Sequence, residues 1–189
     1  MTEQLQSDFD KIIKTSDFSE KEIQSKKSFL NKFIESGFPN RKQEDWKFLD
    51  ISQIIKKNIG ELSFFNDNSL PNKIDPSIFV DGLEHNKIIF INGRIEKIDF
   101  NFEDQNKIEI IDETKKDIPF DYENSLIDLN SAFTDKVFKI SIKKNYSLKK
   151  PLIIYHSIDN KINSTNINLR LDFELGENSC LKLIDYFGN

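Results

Sequence analysis

The chain has 189 residues, a net charge of −5, 37% hydrophobic and 31% charged residues, 17 Phe and one Cys. That is apolar volume for one domain, or one domain with a small helical extension, and it excludes a chain disordered throughout; Cys180 has no disulfide partner, and with His85 and His156 it supplies too few soft ligands for a self-contained zinc site. The acidic balance, with Arg only as Arg41, Arg94 and Arg170, argues against a nucleic-acid groove, and the lack of an export signal in Met1–Asp10 and of any apolar run of spanning length predicts a cytoplasmic, non-membrane protein.

The first third reads as helical. Leu5, Phe9, Ile12 and Ile13 recur at the spacing of one helical face. Ser19 with Glu22 is a capping box, Ile23, Leu30, Phe33 and Ile34 supply the next stripe, and Gly37 with Phe38-Pro39 supplies the stop. Asp50 and Gln53 cap a third helix carrying Ile51, Ile54, Ile55 and Ile59 and ending at Gly60. Phe65 to Pro76 is a loop by composition, and the character then changes to strand.

Ile88–Ile91, Asn92-Gly93 and Arg94–Ile98 spell a β-hairpin, because Asn-Gly tolerates the two positive φ angles of a type I′ turn. A strand over Ile108–Ile111 and a helix over Tyr122–Phe133 follow. In the last third the period becomes two: Phe138, Ile140 and Ile142 alternate with polar residues, as do Ile167, Leu169, Leu171, Phe173 and Leu175. Pro151–His156 and Cys180–Ile184 are further strand runs. A sandwich, a barrel and a coiled β solenoid all fit this periodicity.

No catalytic motif is present. Cys180, in an apolar run, reads as a buried, inert thiol, His156 as a packed, hydrogen-bonded histidine, and His85 as part of a solvent-facing loop. Glu44 and Asp45 are adjacent on the chain and so share no helical face for acid and base work. The segment from Phe38 to Phe48 holds the only Trp, and Trp46 is expected to plug the helical core. No catalytic, cofactor-binding or metal-binding residue is assigned.

Phe38-Pro39, Arg41, Glu44-Asp45-Trp46-Lys47 and Phe48 together resemble the N-terminal signature of the SufD family of the SUF iron–sulfur cluster assembly machinery. Three further motifs follow in that family's order: Asn92-Gly93-Arg94, Leu129-Asn130-Ser131-Ala132-Phe133, and Lys150-Pro151 leading to His156. Phe48 stands where the family has Tyr. The resemblance implies an α+β chain: a helical region at 1–65, a mixed linker and hairpin region with one helix at 66–136, and at 137–189 the first strands of a right-handed parallel β-helix, truncated. It implies a non-enzymatic scaffold whose full-length form acts with SufB and with SufC, an ATPase, in a complex that handles an iron–sulfur cluster; with only Cys180, His85 and His156 as soft ligands, far apart in sequence, this chain is itself expected to bind no cofactor.

Family members are longer, so the resemblance covers their N-terminal portion. The 189-residue chain is expected to bind neither SufC nor ATP, and to self-associate through Leu181, Leu183, Tyr186 and Phe187. The alternative is a stand-alone β-rich module that binds carbohydrate or protein.

Overall fold

Helix starts and stops are written locally, and the computed structural model, which describes residues 2–65, 76–113, 124–159 and 162–188, shows how they are read. Helix α1 spans Thr2–Thr15 and buries Leu5, Phe9 and Ile12. Helix α2, Glu20–Ser36, starts at the capping box: the Glu22 N–H donates to Ser19 Oγ, and the Ser19 N–H donates to Glu22 Oε2 at 2.7 Å. It stops where Gly37 takes a φ of 67°, a left-handed backbone that side chains disfavour. Helix α3, Ile51–Asn58, is capped by Asp50, whose carboxylate accepts the Gln53 N–H at 3.0 Å. Helix α4, Ser125–Phe133, is capped by Asn124. Its expected start at Tyr122 lies outside the described residues, as does nearly all of the loop expected at 65–76.

These helices form one of two units into which the chain divides, comprising residues up to 66 with 114–136 and 164–170. Its core is Leu5, Phe9, Leu30, Phe33, Phe38, Phe64, Leu129, Ala132 and Phe133; burying each large side chain contributes roughly 1.5–3 kcal/mol. Trp46 is not in that core. It lies half-buried on a 3-10 turn, Glu44–Trp46. The place expected for it is taken by Phe38, which the turn at Gly37 sets edge-on to Phe33 with ring centroids 5.0 Å apart. Linked turns, with Trp46 N–H on Gln43 O and Leu49 N–H on Trp46 O, hold the following segment at the surface.

The second unit is made of strands. Strands β1 (Asn86–Ile91) and β2 (Arg94–Asp99) form the Asn-Gly hairpin, with Asn92 at φ 54° and Gly93 at φ 80°. Strand β3 is Ile108–Glu113, β4 Val137–Ile142, β5 Leu152–Ser157, β6 Arg170–Leu175 and β7 Leu183–Gly188. One sheet has the order β2-β1-β5-β7 and the other β3-β4-β6. Strands β1, β5 and β7 run parallel, whereas β3 runs antiparallel to β4. Both sheets are mixed, and the chain is α+β.

Strands β1 and β5 are continuous apolar runs because both their faces are covered. Ile89, Ile91, Ile153 and Tyr155 pack with Phe79 and Val80 on one face, and Phe90 meets Phe138 of β4 on the other at 5.5 Å. Strand β4 alternates as its sequence predicts, with Phe138, Ile140 and Ile142 buried. Two strands depart from expectation. Strand β6 begins at Arg170, not Ile167, and its burial does not alternate. Strand β7 begins at Leu183, so Cys180 precedes it.

The stretch from β4 to β5 and the stretch from β6 to β7 lie side by side and parallel, with the pairing shifting by two residues between Ser147/Cys180 and Leu152/Leu183. Ser141 Oγ donates to Glu174 Oε2, Gly176 N–H donates to Ile142 O, Ser147 and Cys180 form a parallel bridge, and Leu152 pairs with Leu183. At the bend of each stretch sits an asparagine in left-handed conformation, Asn145 at φ 58° and Asn178 at φ 57°. The two are 33 residues apart, and the Asn178 amide donates to Asn145 Oδ1 at 3.2 Å.

Candidate functional site

Three polar clusters lie in the strand unit. At the first, His85 Nδ1 is 2.6 Å from Leu83 O, and a carbonyl only accepts, so Nδ1 carries the proton. Nε2 is then an acceptor, and Tyr155 donates to it at 2.8 Å while accepting the Val80 N–H at 3.1 Å. Burial, reinforced by the neighbouring Tyr186, raises the Tyr155 pKa over the opposing Val80 contact. His85 is therefore buried rather than solvent-facing, turned inward because Tyr155 supplies its partner. With donors and acceptors matched, the pair is a structural lock.

The second cluster centres on Glu103. Its carboxylate accepts from Asn86 Nδ2 at 2.8 Å, Tyr146 Oη at 2.7 Å, Lys149 N–H at 3.1 Å and Lys150 N–H at 3.0 Å. Burial alone would raise its pKa; these four donors outweigh burial and lower it. The turn before β5 is held by this one side chain.

At the third, His156 sits between two rings. Its imidazole stacks on Phe90 at 5.6 Å and on Phe187 at 4.5 Å, and its Nε2 lies 2.7 Å from Asp185 Oδ1. The parallel register makes this ladder, because Phe90, His156 and Phe187 are successive partners across β1, β5 and β7. Half-buried and hydrogen-bonded, His156 is placed as expected. Phe187 is 73% exposed, so the outer end of the ladder is open.

In the helical unit, Asp8 is buried and ties α1 to the following segment, accepting the Phe64 N–H at 2.8 Å and pairing with Lys11 at 2.8 Å. Burial raises its pKa, but Lys11, the Phe64 N–H and the Gln4 amide together bring it below the ordinary value. Lys26 caps the end of α4 by donating to Ser131 O and Thr134 O, with its ammonium 4.7 Å from the Phe18 ring. Burial pushes its pKa down to about 8 against the pull of Asp135 and Glu22.

The structure does not bring the sequence-selected residues together. His85 and His156 serve opposite faces of one sheet, since Tyr155, the partner of His85, and His156 are consecutive on β5. Cys180 is exposed, contrary to the expected buried thiol, because it lies in the turn before β7 with only a bridge to Ser147. Glu44 and Asp45 are both exposed on the 3-10 turn. Among the described residues no three His, Cys, Asp or Glu side chains form a group able to hold a metal ion, and no helix is long and apolar enough to cross a membrane.

No protein-family model matches the chain, and no curated protein does.

Proposed function

We propose that this chain belongs to a SufD-like, non-enzymatic scaffold of iron–sulfur cluster assembly, cytoplasmic, whose full-length form acts with SufB and SufC, and that its stretch from β4 onward is the start of a right-handed parallel β-helix. The observation that carries this reading is the asparagine pair Asn145 and Asn178. Two bends of left-handed conformation, 33 residues apart and joined side chain to side chain, are what stacked solenoid coils produce. The parallel pairing of β5 with β7, which sets Leu152 beside Leu183 and His156 beside Phe187, supports it.

The family-like motifs also fall at structural positions that suit them. Asn92-Gly93 makes the hairpin turn, Leu129, Ala132 and Phe133 are buried on α4, and Pro151 leads into β5. In such a scaffold no residue of this chain performs chemistry. The polar clusters at Glu103 and His85 fix turns and strands, and the cluster itself is cargo of the complex. Disrupting the gene in its own host tests this reading: the activity of [4Fe–4S] enzymes is expected to fall and to return on complementation. Unchanged activity under iron-limited growth contradicts it.

A further inference from the structure

A groove of about 450 Å³ opens in the helical unit between α1 and the end of α3. That is the size of a small-ligand site. Its floor is apolar, formed by Phe38 and Phe64, both buried, with Ile55 and Leu62. Its polar lining is almost entirely accepting. Glu3 and Glu61 stand exposed at the rim with no ion-pair partner among the described residues. Gln4, also lining the groove, has its amide nitrogen engaged by Asp8 Oδ2 at 2.8 Å, which leaves its carbonyl oxygen free to accept. No Lys or Arg lines the groove.

We infer that this groove binds a small organic ammonium ion, an amine carrying an apolar body. The apolar part covers Phe38, Phe64 and Ile55, and the ammonium lies between the Glu3 and Glu61 carboxylates with Gln4 Oε1 as a third acceptor. An anion is disfavoured by both carboxylates, and a neutral apolar molecule leaves them unused. This inference is independent of the scaffold reading, because it rests on the groove lining in the helical unit, whereas that reading is carried by the Asn145–Asn178 pair of the strand stretches.

The test is an amide-resolved NMR titration of the 189-residue chain at neutral pH with 4-phenylbutylamine, 4-phenylbutan-1-ol and 4-phenylbutyrate. The amine is expected to give saturable shifts centred on Gln4, Ser7, Ile55 and Glu61, with the alcohol and the acid weaker by about tenfold or more. Glu3→Gln and Glu61→Gln, both at exposed positions, are each expected to weaken the amine about threefold while leaving the alcohol unchanged. Equal binding of alcohol and amine, the absence of saturable shifts, or shifts centred on the strands overturns the inference. Tighter binding of the peptide acetyl-Lys-Phe-amide than of the free amine also overturns it, in favour of a lysine-bearing protein partner.

Discussion

Phe187 lies flat against His156, ring centroids 4.5 Å apart and planes 13° from parallel. The contact exists because β5 and β7 run parallel in register, which sets like positions beside one another. Since Phe187 is mostly exposed, Phe187→Ala is expected to cost only about 0.5–1.5 kcal/mol in urea unfolding, the worth of an aromatic pair without a large burial term. Tyr155→Phe is expected to cost more, about 1–3 kcal/mol, because it leaves His85 Nε2 and the Val80 N–H without a partner in a buried site. The reverse ranking contradicts these assignments.

The turn before β7 makes a close approach that permits no side chain. A Cβ at Gly176 would lie 2.4 Å from the backbone nitrogen of Lys144, so backbone must move to admit it. Gly176→Ala is expected to destabilise by about 1–3 kcal/mol. A neutral result measured by thermal unfolding means that the two stretches do not pack at this distance.

Stability should fall in acid through two identifiable carboxylates, one in each unit. Asp8 and Glu103 both have pKa values lowered in the folded protein. A lowered carboxylate contributes stability that is present above its unfolded pKa, about 4, and is lost as pH falls through the folded value. Denaturant midpoints between pH 6 and pH 2 are expected to drop below about pH 4. Asp8→Asn and Glu103→Gln should lower the midpoint at neutral pH and flatten that acid slope. An unchanged slope in both variants contradicts the assignment.

Trp46 reports on its own exposure. On the 3-10 turn and outside the core, its emission is expected to be redder than that of a buried indole and open to acrylamide quenching. Trp46→Ala is expected to cost about 1 kcal/mol or less, against about 3–5 kcal/mol for Phe33→Ala in the core. A blue-shifted, protected Trp46 would restore it to the core.

Local signals were legible in the residues and long-range ones were not. The Ser19–Glu22 box, the Asp50 cap and the Asn92-Gly93 turn are satisfied within a few residues of themselves, so spacing alone announces them. Glu103 carries no such signal: it lies in a polar run, and its partners Tyr146, Lys149 and Lys150 come more than 40 residues later. His85 reads as a loop residue because its burial depends on Tyr155, 70 residues away. Cys180 misleads for the opposite reason, since apolar neighbours at Leu181 and Leu183 suggest a strand whose pairing begins only at Leu183. Asn145 and Asn178 are each ordinary turn residues in sequence, and only the fold reveals them as a pair.

Exposed apolar side chains on β6 and β7 carry a further expectation. Leu175, Leu183, Ile184, Tyr186 and Phe187 are all exposed, and β7 ends its sheet among the described strands. Unpaired backbone beside apolar side chains favours strand-to-strand association. The 189-residue polypeptide is expected to self-associate with rising concentration in sedimentation velocity, and Phe187→Glu to reduce it. A concentration-independent monomer contradicts this.

The scaffold reading is tested most directly by its partners. The gene product, tagged at its N-terminus at its own locus and isolated from its host under anaerobic conditions, is expected to co-purify with SufB and the SufC ATPase in fixed stoichiometry. Recovery without either, from cells in which both proteins are present, would contradict it.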